Sequence, residues 1–406
     1  MIKILLNFFA YFLKSLFLLL LGLIILFTLP YFKTEVYRFA KPQIFDGDKW
    51  FNPYENMDSS AWHKANFQIQ SYAWKGLTDG EQNTNELIDS IYSYLGYDII
   101  ATSDYMKINE YGQDKPSYLR VYEHGYNIFK RHQIAIGAEK VNWMDFMFFQ
   151  SIHHKQKIIN TIRPYNELIF LAHPDLSGSL DVEDFSRLTS YDGIEAQSIF
   201  GDAVDCWDTA LSTGHYVSIQ CNDDSHDIFN PNLTGNYCTF VNTDVLNERG
   251  ILDAMKKGNA FGVRLFREPN ESFEVKKIRH EQLAKLLNVE ILNDSLIVEL
   301  DKPAKEIRFV GQGGEIKKEI FNQSWVSYKL QKEDTYIRTE FEFSDSTLYF
   351  LNPVARTIEA KPKPLEISSV NWVKTWLYRL FILVLEGFLI FVFLFILKKK
   401  FRLKRA

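Results

Sequence analysis

Asp224 and His226 are the residues whose types and spacing first suggest chemistry in this chain. They close the stretch YVSIQCNDDSHD at residues 216–227, in which an alternating apolar run ends in acids and a histidine. Side chains two residues apart leave the same face of a strand, so a carboxylate and an imidazole would point at one place. Such a pair is a common way to hold a divalent metal. The alternative interpretation is a solvated turn after a strand.

Polar residues also follow other apolar runs between residues 60 and 260. Short apolar runs alternate there with amphipathic helical patterns, which favours an α/β domain with parallel strands. In a closed parallel barrel the carboxyl ends of the strands meet at one mouth, where such enzymes carry their chemistry. We therefore expect the residues at the ends of these runs to converge: Asp104, Glu139, His173, Glu195, Asp224 and His226.

Five motifs over about residues 60–265 resemble, in order and spacing, those of the polymerase and histidinol phosphatase (PHP) superfamily. They are HKANFQIQSYAWKGLTDG, GYDIIATSDY, AIGAE, LAHPD and NDDSHD. The resemblance implies a distorted (β/α)7 barrel and a metal-dependent phosphoesterase. It places catalysis at Asp224 and His226, and it implies metal ligands at Asp79, Glu139, His173, Asp224 and His226.

The chain departs from the family's pattern at three histidine positions. Gln68 and Gln70 stand where the family has His-x-His, and Tyr105 stands where it has the histidine of Asp-His. A glutamine offers only a neutral amide oxygen, which suits hard cations better than zinc. We treat Gln68, Gln70, Tyr105 and Glu195 as weak or substituted ligands. The remaining set predicts one or two divalent ions of manganese, zinc or magnesium.

Two functions follow from this partly degenerate site. A bound metal would polarise a phosphoryl oxygen and lower the pKa of a bound water, which predicts hydrolysis of a small phosphorylated substrate. The loss of three histidines fits equally well a catalytically silent receptor or scaffold that binds a ligand or a partner protein. No residues are assigned to an organic cofactor. The net charge of -5 and the pI near 6.0 give no reason to expect a nucleic-acid partner.

His124 and His132 lie in or beside a long polar insertion at residues 106–131. An exposed loop is the favoured interpretation, because long connections usually run over the surface. The alternative is that these histidines border the mouth and replace lost ligands.

Two apolar segments, one near each end of the chain, are long enough to cross a membrane. The first lies in residues 1–41 and reads as an uncleaved anchor, since no small-residue cleavage site follows it. The second lies in residues 376–406 and ends in a basic cluster, which is typical of a cytoplasmic flank. We therefore expect a two-pass inner-membrane protein with both termini cytoplasmic and the main domain periplasmic or extracellular.

Glu386 interrupts the second span about 18 Å from Lys398, hence near the middle of a bilayer. A charged residue at that depth usually pairs with another group or has a function. Lys14 of the first span is one partner to consider. A neutral Glu386 packed against a helix of a membrane partner is the alternative.

The region between the spans divides into three parts. Residues 42–265 form the predicted barrel. After Lys257 the pattern changes to strand alternation, which predicts a small β-sandwich over residues 266–360. Residues 361–375 are then a linker to the second span.

Overall fold

The computed structural model describes residues 2–74, 80, 82–176 and 178–399, and these form a mixed α/β protein. The helices are α1 (Ile2–Thr28), α2 (Asn85–Tyr94), α3 (Ile152–Ile162), α4 (Val204–Ser212), α5 (Glu248–Lys257), α6 (Phe273–Glu281) and α7 (Trp372–Lys398). The strands are β1 (Tyr37–Arg38), β2 (Lys49–Phe51), β3 (Trp62–Asn66), β4 (Ile99–Ile100), β5 (Val121–His124), β6 (Gln133–Ala138), β7 (Asn166–Leu171), β8 (Gly193–Ser198), β9 (Gly201–Asp202), β10 (Ser218–Cys221), β11 (Tyr237–Asn242), β12 (Ala260–Arg264), β13 (Leu286–Leu292), β14 (Ser295–Val310), β15 (Ile316–Lys329), β16 (Tyr336–Glu342), β17 (Leu348–Leu351), β18 (Val354–Thr357) and β19 (Ser369–Val370).

The chain divides into two compact units. One unit comprises residues 1–39, 144–158 and 368–406, and the other comprises residues 40–143 and 159–367. The first unit contains α1 and α7, which are long and apolar enough to cross a membrane. The second unit contains both large sheets.

Lys14 contacts the end of α7 and not Glu386. Its Nζ donates hydrogen bonds to the carbonyl oxygens of Leu397 (3.1 Å) and Lys399 (2.9 Å). These are among the carbonyls that a helix leaves unpaired at its C-terminus. Leu397 lies 11 residues beyond Glu386, about 16 Å along the helix, so the Lys14–Glu386 pairing considered above does not form. Glu386 is buried, and its carboxylate has no hydrogen bond within residues 2–74, 80, 82–176 and 178–399.

Local sequence signals set the helix boundaries in the second unit as expected. The Thr84 hydroxyl accepts a hydrogen bond from the amide of Leu87 and caps α2. Gly96 follows the helix with a φ of 76°, a left-handed conformation that glycine adopts without steric cost. Between β7 and β8 the chain forms only a short 3-10 turn, Val182–Ser186, in the part of that connection that the structure describes.

The first sheet of this unit has the strand order β10-β8-β7-β6-β5. β7, β8 and β10 are parallel, but β6 runs antiparallel to both β5 and β7. Eight residues, 125–132, join β5 to β6. A parallel connection needs a crossover of a dozen or more residues, so this short loop forces an antiparallel pair. The expectation of parallel strands is therefore correct only for part of the sheet.

The second sheet contains β4, β3, β11 and β12 and continues through β17 into the C-terminal strands. β12 pairs antiparallel with β17, for example Gly262 with Phe350. Strands predicted to form a separate small sandwich thus extend the sheet of the α/β region.

Two isolated parallel bridges join the sheets at the ends that carry polar residues. Ile69 pairs with Ser225, and Tyr105 pairs with Glu123. These bridges draw together the segments that follow β3, β4 and β10 with the end of β5. The residues predicted to do chemistry lie mainly on these segments.

Candidate metal centre

Glu123, His132 and His173 form a buried cluster that could hold a metal ion. The Nδ1 of His132 lies 2.5 Å from Oε1 of Glu123, and the Nε2 of His173 lies 3.3 Å from the same oxygen. One donor atom from each residue lies within 4.8 Å of the others. A carboxylate and two imidazoles are thus aimed at one place inside the protein.

The strand directions explain why these three residues meet. Glu123 lies in β5 opposite Ile134 of β6, so His132, which immediately precedes β6, is at the same end of the hairpin. β6 in turn pairs Gln133 with Leu171, the last residue of β7. His173 follows two residues later and reaches the same place.

Gln70 holds the other oxygen of Glu123. Its Nε2 donates hydrogen bonds to Oε2 of Glu123 (2.5 Å) and to the carbonyl oxygen of Ser103 (2.9 Å). The structure therefore places Gln70 at the cluster as a hydrogen-bond donor. Gln68 is also buried, and its side-chain amide has no hydrogen bond to any residue that the structure describes.

Tyr105 lies between two imidazoles of the site. Its ring centroid is 5.2 Å from that of His132 and 6.0 Å from that of His226. Its backbone carbonyl accepts a hydrogen bond of 2.7 Å from the Trp74 indole. Tyr105 is thus a contact residue of the cluster, at the position where the family has a histidine.

Asp224 and His226 lie together, as their spacing predicts. The Nε2 of His226 is 3.4 Å from Oδ1 of Asp224, and 16% of the His226 side chain is exposed. Asp224 is buried, yet neither of its carboxylate oxygens accepts a hydrogen bond from the described part of the chain. An uncompensated buried carboxylate is costly unless a cation completes its surroundings.

The neighbouring Asp223 has a structural role. It accepts hydrogen bonds from the backbone amides of Gly235, Asn236 and Tyr237, at 2.8 to 2.9 Å, and from the hydroxyl of Tyr92 at 2.8 Å. These bonds fix the turn that precedes β11.

Two other predicted residues at this end are engaged in hydrogen bonds. Glu195 accepts from the backbone amide of His173 (3.0 Å) and from the side-chain amide of Asn222 (2.9 Å). Asp104 accepts from the backbone amide (2.8 Å) and hydroxyl (2.9 Å) of Ser71 and from Asn109 (3.0 Å). Glu195 borders the cluster, whereas Asp104 anchors the surrounding loops.

The backbone is strained at two of the candidate ligands. His173 has a φ of 28° and Asp224 a φ of 46°. A residue with a Cβ in such a sparsely populated region costs about 1–3 kcal/mol, and such residues cluster at functional sites. The strained backbone at both positions therefore agrees with their assignment to the site.

Burial and charge shift the pKa values of the cluster. Burial alone would raise the pKa of Glu123, but His132 and His173 hold it well below its ordinary value. Burial alone would lower the pKa of His173, but the hydrogen bond to Glu123 and the charge of Asp224 raise it to about 9. Burial, followed by the charge of Asp224, raises the pKa of Glu195 to about 8.

The structure does not bring Glu139 to this cluster. Its backbone amide donates to Tyr165, which precedes β7, whereas His173 follows the other end of that strand. The cause is the antiparallel direction of β6, which carries its C-terminal residue away from the mouth by about 20 Å. Glu139 is exposed, whereas Glu123, which was not among the predicted ligands, lies in the cluster. Asp79, another predicted ligand, lies outside the described residues.

The histidines of the predicted insertion are buried, contrary to the favoured exposed loop. His132 belongs to the cluster, as the alternative interpretation allows. His124 Nδ1 lies 2.8 Å from Oε1 of Gln133. Sequence reasoning missed Glu123, although the short alternation Val-Tyr-Glu-His at residues 121–124 was a weak sign of a strand.

The residues present fit a divalent metal. Glu123, His132 and His173 provide a mixed carboxylate and imidazole set, and the buried oxygens of Asp224 lack hydrogen bonds from the described residues. Imidazole ligands favour zinc and related transition metals, while magnesium prefers oxygen ligands. The mixed set of one carboxylate and two imidazoles therefore fits a divalent metal ion.

Exchange of Glu123 for glutamine should abolish stoichiometric metal binding, because it removes the only anionic group of the three-residue cluster. The matched variant Glu139→Gln should bind as the unchanged protein does, because Glu139 is exposed at the other end of β6. Metal content after dialysis against manganese or zinc measures both. Equal loss in the two variants would contradict the assignment.

The metal-free protein should lose stability as the pH rises from about 5 to 9. His173 and Glu195, with ordinary pKa values of 6.5 and 4.5, both bind a proton more tightly when folded. Their contribution to the stability of the folded state is therefore complete at low pH. It is lost as the pH rises through about 8 for Glu195 and about 9 for His173. Thermal unfolding with a chelator at pH 6 and pH 9 measures this. A melting temperature that does not change with pH, or a pH slope as steep in His173→Gln as in the unchanged protein, would count against it.

Two solved structures are distant structural neighbours of this chain. No protein-family model and no curated protein matches it. A two-domain protein from Bacteroides vulgatus ATCC 8482, described as containing a predicted PHP-like metal-dependent phosphoesterase, is 11% identical with a TM-score of 0.36, over 82% of this chain and 99% of that one. PsfC from Pseudomonas syringae PB-5123 is 8% identical with a TM-score of 0.36, over 55% of this chain and 99% of that one. At these values neither neighbour assigns an activity to this chain.

Proposed function

We propose that this protein is a membrane-anchored, extracytoplasmic phosphoesterase that depends on a divalent metal. The observation that carries the proposal is the buried meeting of Glu123, His132 and His173. Asp224 and His226 adjoin it as an acid and imidazole pair. The PHP-like order of the His-Pro and Asp-x-His motifs along the chain agrees with this chemistry.

The residues of the site divide into ligands and groups that handle protons. A metal held by Glu123, His132 and His173 would polarise a phosphoryl oxygen and lower the pKa of a bound water. Asp224 accepts no hydrogen bond from the described residues, so its oxygens can orient a water or receive its proton. His226 is the more exposed partner of that pair, and its imidazole can pass a proton to the leaving oxygen.

Hydrolysis of generic phosphate esters tests this proposal. The full chain is assayed on p-nitrophenyl phosphate and bis(p-nitrophenyl) phosphate with manganese, zinc or magnesium. Because proton transfer contributes about 10²–10⁴-fold, Asp224→Asn and His226→Ala should lower kcat/KM by that order. Asp244→Asn, an exposed aspartate away from the cluster, and His63→Ala, which contacts Thr243, should leave it unchanged.

A catalytically silent receptor or scaffold is the second candidate. The observation that favours it is that Gln70 donates to Glu123 at a position where the resemblance expects a histidine ligand. A protein that binds one metal ion and turns over neither ester, while His226→Ala leaves metal binding intact, would favour this candidate and contradict the hydrolase.

The membrane anchor is proposed from α1 and α7 together with the basic residues that follow α7. Positive flanks remain in the cytoplasm, so both termini would lie there and the region between the helices outside. The buried Glu386, whose carboxylate has no hydrogen bond among the described residues, is then the proposed contact for a partner within the membrane.

Labelling of one introduced cysteine tests the orientation. Lys332 is exposed in a turn of the second unit, and the natural cysteines Cys206, Cys221 and Cys238 are buried and unreactive by position. Lys332→Cys should react with a membrane-impermeant maleimide in intact cells or spheroplasts, and the unchanged protein should not. Labelling only after lysis would reverse the orientation.

A further inference from the structure

A second pocket lies at the opposite end of the parallel strands from the metal centre. Its volume is about 420 Å³, within the range of small-molecule sites. Tyr191 and Asp192, which precede β8, and Ser218, the first residue of β10, line it. The metal cluster lies beyond the other ends of these strands, so the two sites are separate.

The positive groups of this pocket are only partly neutralised. Arg163 forms an ion pair with Asp192, and Lys256 forms one with Glu167. Lys257 and Lys361 also line the pocket, but neither has an ion pair within the part of the chain that the structure describes. Partial burial, and then the charge of Lys257, lower the pKa of Lys361, so the two ammonium groups lie close enough to repel each other.

The remaining wall of the pocket is apolar. Leu168, Met255 and Leu365 line it, together with Ile367, which is 75% exposed. Pro362 and Pro364 stiffen the segment that forms this wall, because the proline ring fixes φ. Five residues after Ile367 the chain enters the apolar helix α7, which begins at Trp372.

We propose that this pocket binds an anionic amphiphile, with its anionic head between Lys257 and Lys361 and its hydrocarbon part on the apolar wall. Two like charges with no carboxylate partner among the described residues call for an anion. An apolar wall beside them adds affinity by removing hydrocarbon from water. A lipid phosphate or a fatty acid carries both features, whereas a free phosphate carries only the first.

Binding of dodecyl phosphate to the full chain tests the proposal. The protein is kept in a neutral detergent at constant concentration, and dissociation constants are measured for dodecyl phosphate and for inorganic phosphate. We expect one dodecyl phosphate bound with higher affinity than inorganic phosphate. The double variant Lys257→Met and Lys361→Met should weaken its binding about tenfold, which corresponds to roughly 1.4 kcal/mol for two exposed charges.

Matched variants separate charge, apolar wall and folding. Lys363→Met is the control, because Lys363 lies on the same segment, is paired with Glu359 and does not line this pocket. Ile367→Ser should weaken dodecyl phosphate and leave inorganic phosphate unchanged. Both lysines are exposed, so an unchanged melting temperature of the double variant verifies its fold.

Unchanged dodecyl phosphate affinity in the double variant would overturn the proposal. Equal affinity for inorganic phosphate and dodecyl phosphate would overturn the amphiphile and leave a simple anion site. Both dissociation constants are measured with a chelator present, because dodecyl phosphate is itself a phosphate ester that a metal-loaded centre could bind or hydrolyse. The outcomes are then independent of phosphoesterase activity, and no residue of the metal cluster is changed.

Discussion

The buried carboxylate of Glu123 is the interaction on which the site depends. It contacts Gln70, His132 and His173, which come from three separate segments. Burying a charged carboxylate costs several kcal/mol even after the surroundings relax, so a positive charge is needed beside it to offset that cost. Because both imidazoles approach the same oxygen, either a protonated imidazole or a metal ion can supply this positive charge. The proton that stabilises the metal-free cluster is the one that a metal must displace.

Asp223 and Asp224 follow β10 and have different roles. Asp223 fixes the turn, and this lets Asp224 present its carboxylate at the site. Hydrogen bonds from three backbone amides satisfy Asp223 and fix the turn before β11. The chain can then hold Asp224 in a left-handed conformation, with its carboxylate buried but without hydrogen bonds from the described residues. The strain at Asp224 is offset by bonds to its neighbour, so one short segment supplies both rigidity and a reactive group.

The sequence predicted the mixed α/β class and the gathering of polar residues at one end of the strands, because these depend on local patterns. His173, Glu195, Asp224 and His226 all lie at that end. The place of Glu139 depended on the direction of β6, and apolar alternation is the same in parallel and antiparallel strands. The pairing of β12 with β17 could likewise not be predicted from local patterns, since it joins residues nearly ninety positions apart. Glu123 lies in a four-residue strand, too short to give a clear period.

Gln70 limits how many metal ions the described residues can hold. A carboxylate that bridges two ions offers one oxygen to each. In Glu123, Oε1 faces the two imidazoles, while Oε2 accepts a hydrogen bond from the Gln70 amide. An amide donor at that oxygen occupies the direction that a second cation would need. The Gln70 amide thus leaves Oε1 as the oxygen of Glu123 that can face a cation, which favours a single ion at the cluster of Glu123, His132 and His173.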